Sequence, residues 1–316
     1  MDKIKEQFLK IYFKLFTVNK GLIKDVKDSR DYVYGFSGIE KEIIRPDGQW
    51  QTPEGEIQRG TIESMSCTSQ SLLNVVEMIN LNKWKETKDY SDRFLAKCSG
   101  TTHNGNTMRT VLETLRKNFG TVREEQWKAD YSSWWTYYAE IPQNILNLGK
   151  LWIKSYELQY EEVPLNKTLM MDALKYSPLY VSGFAWHLSN GLYRSYGGAN
   201  HAFTLVGYKE NKYWLAFDSY DEFLKKLDWN FRFGNIKSVL LKKKENTFNK
   251  ELIKRLRDRG FDFVMRVLGD GQVYKLEDDK LVKVEPQEIK DMTINDLSKS
   301  KKLIGIDETF YNSLLE

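Results

Sequence analysis

The sequence predicts an α+β fold: a helical first half, a strand-rich second half and a small C-terminal β-containing module. Two observations carry this. Apolar residues recur at helical spacing after Cys67, near 107–118 and over 166–176. Beyond Pro178 the pattern changes to short apolar runs separated by turn residues, which read as strands. A change of that kind suggests two lobes with a cleft between them. At 316 residues, with 41% hydrophobic and 29% charged, the chain is long and apolar enough for one large or two ordinary globular domains. The expected boundaries are an amphipathic arm over 1–27, a main domain over 28–243 and an α/β module over 244–316.

The elements follow in order. Ile4, Phe8, Ile11, Tyr12 and Leu15 share one face of an expected helix over 1–20, and Lys3, Lys10, Lys14 and Lys20 make the remainder basic. Such a helix either lies against the body or meets a protein partner, as the C-terminal module also could. Residues 28–35 read as extended, and 45–60 as a Pro- and Gly-containing surface loop. From Thr68 a helix runs through Leu72, Leu73, Val76 and Ile79. Cys67 then stands at its N-terminus, where the positive end of the helix dipole and free backbone N–H groups favour a thiolate. A turn over 100–105 precedes the helix that carries Met108, Val111, Leu112 and Leu115. Strands are expected at 179–183, 202–208, 213–217 and 238–241. Past a Lys-rich linker at 242–246 come a short charged helix, a run at 261–268, and a hairpin of 273–276 with 281–284.

Only two cysteines, Cys67 and Cys98, are present, too few for a disulfide framework; they allow one bridge, but free thiols in a reducing compartment are expected. The start of the chain has no apolar h-region and no run reaches membrane-spanning length, so the expected location is cytoplasm, a cell's own or a host's, or a virion. The net charge of +4 is spread along the chain and argues against a nucleic-acid partner. Three scattered histidines and two distant cysteines give no metal-ligand spacing, and no Gly-rich phosphate motif is present, so no metal or cofactor is expected. Aromatic residues reach 14% and cluster at 127–138 and 180–193; packing explains them more simply than a groove for an extended ligand.

The chemistry concentrates on three residues. Cys67 sits in a polar helix entrance, Ser-Met-Ser before it and Thr-Ser-Gln after it, rather than inside an apolar stripe. His201 stands in a Gly-rich turn entering a strand, and Asp218 ends the next one. If these strands pair through the turn at 209–212, His201 and Asp218 meet at one sheet edge. The Asp would then accept the Nδ1 proton and leave Nε2 towards the thiol. Cysteine first, with histidine and its orienting partner about 130–150 residues on, is the papain-type order.

At these residues the chain resembles papain-like cysteine proteases, with divergent bacterial and phage-borne members the nearest in character. Ser66-Cys-Thr-Ser-Gln-Ser-Leu resembles the nucleophile helix entrance. Asp92-Arg-Phe-Leu-Ala-Lys-Cys-Ser99 resembles the family's leucine-valine-aspartate-cysteine segment, and Thr102-His-Asn-Gly-Asn-Thr-Met108 its substrate-backbone loop. Asn200-His-Ala-Phe-Thr-Leu-Val-Gly-Tyr208 is the most specific match, and Phe217-Asp-Ser-Tyr220 falls where the family has Asn-Ser-Trp. The resemblance covers roughly residues 28–243. It implies a papain-like fold of a helical lobe and an antiparallel β-barrel-like lobe, and a cysteine endopeptidase acting on polypeptides. Cys67 would be the nucleophile, His201 the base and Asp218 the orienting group. Gln58 and the Cys67 backbone N–H would hold the oxyanion, and Asn104, Gly105 and Ala202 would line the substrate. The third member is Asp where the family has Asn, and Gln58 lies three residues before the position, Thr61, where the family's glutamine usually stands. Two other readings fit the same residues: a different Cys-His-Asp acyl-transfer enzyme, transglutaminase-like, or an inactive papain-like scaffold used for binding.

Overall fold

The structure, a computed structural model, describes residues 21–26, 32–220 and 222–244, together with four short strands of the C-terminal module. The expected helices over 1–20 and after 246 lie outside the described residues. The chain divides into two compact units, Met1–Lys243 and Lys244–Glu316.

Among its described residues the first unit has six α-helices: α1 Cys67–Ile79, α2 Asp92–Cys98, α3 Met108–Glu113, α4 Trp134–Tyr137, α5 Gln143–Ser155 and α6 Lys167–Ala173. Its strands are β1 Leu22–Ile23, β2 Asn106–Thr107, β3 Tyr156–Glu162, β4 Leu179–Gly183, β5 His187–Ser189, β6 Leu192–Arg194, β7 His201–Lys209, β8 Tyr213–Phe217, β9 Leu224–Asp228 and β10 Phe233–Lys243. Strands β3 to β10 form one sheet in the order β3-β10-β4-β7-β8-β9-β6-β5. Its pairs are antiparallel except β6 with β9.

Helix α1 is the axis of this unit. All 13 of its residues are buried, so it is enclosed on every side rather than laid on a surface. Leu72, Leu73, Val75, Val76, Met78 and Ile79 enter the core, each contributing roughly 1.5–3 kcal/mol by leaving water. On the sheet side, Tyr180 of β4 donates to the Thr68 carbonyl at 2.9 Å, and the Thr204 hydroxyl of β7 donates to the Ser71 carbonyl at 2.9 Å. These bonds fix how far along the sheet the helix lies. The shorter helices start at side-chain caps: Ser91 accepts from the Phe94 N–H, and Thr107 from the Thr110 N–H.

Helix α5 and strand β3 are among the elements that escape the sequence patterns. Helix α5 carries Gly149 in its middle, which weakens a helical signal. The glycine is required by packing, since a Cβ there would stand 2.5 Å from the Phe119 carbonyl oxygen. Strand β3, Tyr-Glu-Leu-Gln-Tyr-Glu-Glu, stands at the end of the sheet order and buries only Tyr156, Leu158 and Glu161, the last on Lys41, so it lacks the apolar content of a central strand. Among the described residues no helix is long and apolar enough to cross a membrane.

In the second unit, β11 Phe263–Met265, β12 Val273–Glu277, β13 Lys280–Lys283 and β14 Leu303–Gly305 form a sheet in the order β13-β12-β11-β14. The hairpin read from the sequence is β12 with β13, antiparallel, with Glu277 opposite Lys280.

Candidate active site

Cys67 is the first residue of α1, and its side chain is wholly buried. The backbone N–H groups of Ala202 and Thr68 point at its sulfur and favour the thiolate, but burial dominates and pushes the thiol up to about 12. Burial therefore opposes the expected thiolate. The helix N-terminus acts in the anticipated direction, and loss of water outweighs it. Cys98 is also a free thiol, likewise pushed up to about 12 by burial.

The sheet supplies the other half. In the β7–β8 register Thr204 lies opposite Phe217, so the next pair sets Asp218 opposite Phe203. His201, two residues further along β7, is then a diagonal neighbour on the same face, at a separation that only a long side chain spans. The imidazole reaches with its distal nitrogen: Nε2 lies 2.6 Å from Asp218 Oδ1, and both side chains are fully buried. This reverses the tautomer expected above. Asp218 holds Nε2, and Nδ1 has no hydrogen-bond partner among the described residues. Burial opposes the Asp218 charge, but His201 and Lys225 beside it bring the carboxyl below the usual range. The sulfur of Cys67 meets the His201–Ala202 link, because the Ala202 N–H points at it.

Gln58 enters the same neighbourhood from the loop before α1. Its N–H donates to the Ser219 carbonyl at 3.1 Å, and its Oε1 accepts from the Ser219 hydroxyl at 2.7 Å. Its Nε2 donates to Glu63 Oε1 at 2.6 Å and to the Tyr220 hydroxyl at 2.9 Å. Tyr220 in turn donates to Glu63 Oε2 at 2.9 Å, and its ring stands 5.3 Å from that of His201. Both amide protons that an oxyanion would need are thus committed to Glu63 and Tyr220.

The chain's own segment 21–25 lies along the loop expected to align substrate. Gly105 has φ +86°, and a Cβ there would stand 1.9 Å from the Gly21 carbonyl oxygen. That oxygen accepts from the Asn106 N–H at 2.9 Å, and β1 pairs with β2 in parallel. Gly21 also abuts Met65, two residues before Cys67. Asp25 ends the segment between the two halves of the unit. It accepts from the Arg109 N–H of α3 at 3.1 Å and meets the buried Lys237 of β10 at 3.2 Å. A cavity of about 280 Å³ beside Leu22 is bounded by Met108, Ser182, Phe184, Ala199 and Asn235. Asn104 is exposed at the loop tip, with its N–H on the Thr102 hydroxyl at 3.2 Å. His103 is exposed too and stacks on Trp134 at 3.6 Å.

No family model and no curated protein matches the chain. Solved structures do. The cysteine protease and lectin-like domains of Cwp84, a surface layer associated protein of Clostridium difficile, match over 68% of this chain and 56% of theirs, with a TM-score of 0.51 and 16% identity. The chain thus spans little more than half of that structure's length. Digestive procathepsin L 3 of Tenebrio molitor gives 0.49 over 73% and 79% at 15% identity. Bromelain of Ananas comosus, in complex with the E64 inhibitor, gives 0.46 over 60% and 94% at 18% identity. The fold is that of the papain-like cysteine proteases.

Within this papain-like fold, the structure brings together Cys67, Ala202, His201, Asp218 and Gln58, and it sets Gly105 against Gly21 instead of an open groove. Three participants were missed by sequence reasoning. Glu63 and Tyr220 flank residues that were singled out, yet only the fold shows them sharing Gln58. Lys225 reads as one lysine among several on a short strand. Its signal was faint but present: Leu-Lys-Lys-Leu-Asp at strand spacing puts Lys225 on the same face as the apolar Leu227.

Proposed function

We propose that the protein is a cysteine peptidase that hydrolyses polypeptides through Cys67, His201 and Asp218. The observation that carries this reading is the buried 2.6 Å bond of His201 Nε2 to Asp218, with the Cys67 sulfur against the Ala202 N–H at the tip of α1. In the proposed reaction the Cys67 thiol gives its proton to His201 Nδ1, and the sulfur attacks the carbonyl carbon. The oxyanion takes the Cys67 N–H and, once Glu63 and Tyr220 release it, the Gln58 amide; one such donor contributes about 3 kcal/mol to the barrier. Collapse breaks the C–N bond, His201 protonates the leaving amine, and a thioester remains. Water, deprotonated by His201, hydrolyses the thioester and restores the thiol. Asp218 keeps the imidazole oriented throughout. Gly105 and Ala202 lie where a substrate backbone would run, so the segment Gly21–Asp25 must leave before a peptide binds.

One observation favours a second reading, a papain-like scaffold used for binding: the thiol is buried and neutral, and the Gln58 amide protons are engaged. The test is digestion of a proteome-derived peptide library by the wild type and by Cys67→Ala, each with and without residues 1–26 removed. Cleavage that requires Cys67 supports the peptidase. Identical, uncut libraries in all four arms support the scaffold. Transfer to an added amine instead of water would make the protein an acyl transferase.

A further inference from the structure

One buried charge at this site has no part in the reaction above. Lys225 on β9 lies opposite Ala216 of β8, while the Asp218 N–H goes to the Phe223 carbonyl at 2.8 Å. Lys225 is therefore the diagonal neighbour of Asp218 on one side of β8, as His201 is on the other. Its Nζ stands 3.1 Å from Asp218 Oδ2, and its side chain is only 4% exposed. It also donates to the carbonyls of Tyr220 at 3.2 Å and Glu222 at 2.7 Å. The rings of Trp186 and Tyr193 stand 5.9 and 5.8 Å from it, and Trp186 contacts the His201 ring edge-on at 5.5 Å.

Burying an ammonium costs several kcal/mol unless a partner needs it. An aliphatic residue would fill this position of β9 without that cost. The partner is Asp218, whose two oxygens are divided between imidazole and ammonium. We propose that Lys225 is a positioning residue: it neutralises Asp218 and holds its second oxygen, so that Asp218 and Lys225 together face His201 as one uncharged acceptor. That is the electrostatic equivalent of the asparagine amide that papain-like proteases carry at this place. The catalytic consequence rests on the peptidase reading; the charge pairing does not. The other ionisable groups around the pair are Cys67 of α1, Glu63 of the preceding loop, Tyr193 of β6, and Tyr220 and Glu222 of the turn after β8.

The experiment compares the wild type with Asp218→Asn, Lys225→Met and the double variant, all in a Cys98→Ser background. Three quantities are read: peptide hydrolysis, melting temperature, and the pH profile of Cys67 alkylation by iodoacetamide. Each single change removes one member of the Asp218–Lys225 pair and should lower hydrolysis by about a hundredfold, along with the melting temperature. The double variant should recover to within about tenfold, because an amide beside a methionine again presents His201 with an uncharged acceptor. The alkaline limb of alkylation should move up by about one pH unit in Lys225→Met and return in the double variant. A single variant that fails to fold while the double folds and reacts also supports the pairing. A double variant that is unfolded, or no better than the worse single, overturns it. So does a Lys225→Met protein with unchanged melting and an unchanged profile. If the wild type itself cleaves no peptide, the peptidase reading fails, while melting and alkylation still decide the pairing.

Discussion

The two sides of the candidate site are prepared to different degrees. On the sheet side, strand register alone sets His201, Asp218 and Lys225 in one buried row, each hydrogen-bonded or ion-paired to the next. On the helix side the parts are present but held back. The Cys67 thiol is neutral in its buried position, Gln58 has given its amide to Glu63 and Tyr220, and Gly21–Asp25 lies along Gly105. A sheet ladder positions charges rigidly because its hydrogen bonds cannot slip without turning every side chain over. A helix N-terminus with neighbouring loops can exchange partners at lower cost, so any rearrangement of the site is easier on that side.

The most severe way to break the comparison is to remove the sulfur. Cys67→Ala should abolish peptide hydrolysis, by about 10⁴-fold or more, while the His201–Asp218 pair and the melting temperature persist. A fall in hydrolysis of less than tenfold would mean that the helix side carries no nucleophile.

That asymmetry also governed what the sequence disclosed. Helix α1 was legible from apolar residues at helical spacing after Thr68, β4, β7 and β8 from short apolar runs bounded by turn residues, and the β12–β13 hairpin from two short runs around a polar turn. His201 and Asp218 were legible because antiparallel pairing through a tight turn is local. The ring nitrogen that Asp218 holds was not, since it depends on a diagonal offset that only the register reveals. Nor was the protonation of Cys67, because the helix terminus is written in the sequence and the burial that overrides it is not. Gln58, Glu63 and Tyr220 meet across some 160 residues of chain, and no local pattern encodes such a meeting.

A smaller perturbation acts on the loop that carries Gln58 and Glu63. Glu56, two residues before Gln58, is pushed up to about 7, first by burial and then by Asp89 and Glu124, against a hydrogen bond with Asp92 that lowers it. Asp92 and Glu77 are raised well above the usual carboxylate range by the same burial and mutual repulsion. A carboxyl whose folded value is raised binds its proton more tightly when folded. Its contribution is present below about pH 4.3 and is lost as pH rises through 7, on the order of 3 kcal/mol in all. Glu56→Gln should therefore flatten the fall in melting temperature between pH 5 and pH 8. An unchanged slope in that variant would exclude Glu56 as its source.

The segment along the cleft gives a third test. Gly105→Ala drives a Cβ into the Gly21 carbonyl and should raise the rate of Cys67 alkylation by about tenfold, or roughly 1.4 kcal/mol in favour of the open form. Asp25→Asn attacks the other end, where Lys237 keeps its second partner, Glu162, and should act in the same direction. Alkylation that both variants leave at the wild-type rate would show that 21–25 does not limit access to the thiol.

The finest test addresses the joint between the two sides. Thr204 donates to the Ser71 carbonyl at 2.9 Å, one helical turn after Cys67 and three residues along β7 from His201. Thr204→Val keeps the shape and removes the donor. The Ser71 carbonyl, inside α1, retains its helical partner, so the loss should be a single buried hydrogen bond, about 1 kcal/mol in thermal or denaturant unfolding. If the rigid sheet and the adjustable helix terminus are separate devices, hydrolysis should fall by no more than the few-fold that a slightly looser joint allows. A loss approaching that of Cys67→Ala, with stability reduced by only this amount, would instead show that the alignment of thiol and imidazole depends on this one bond.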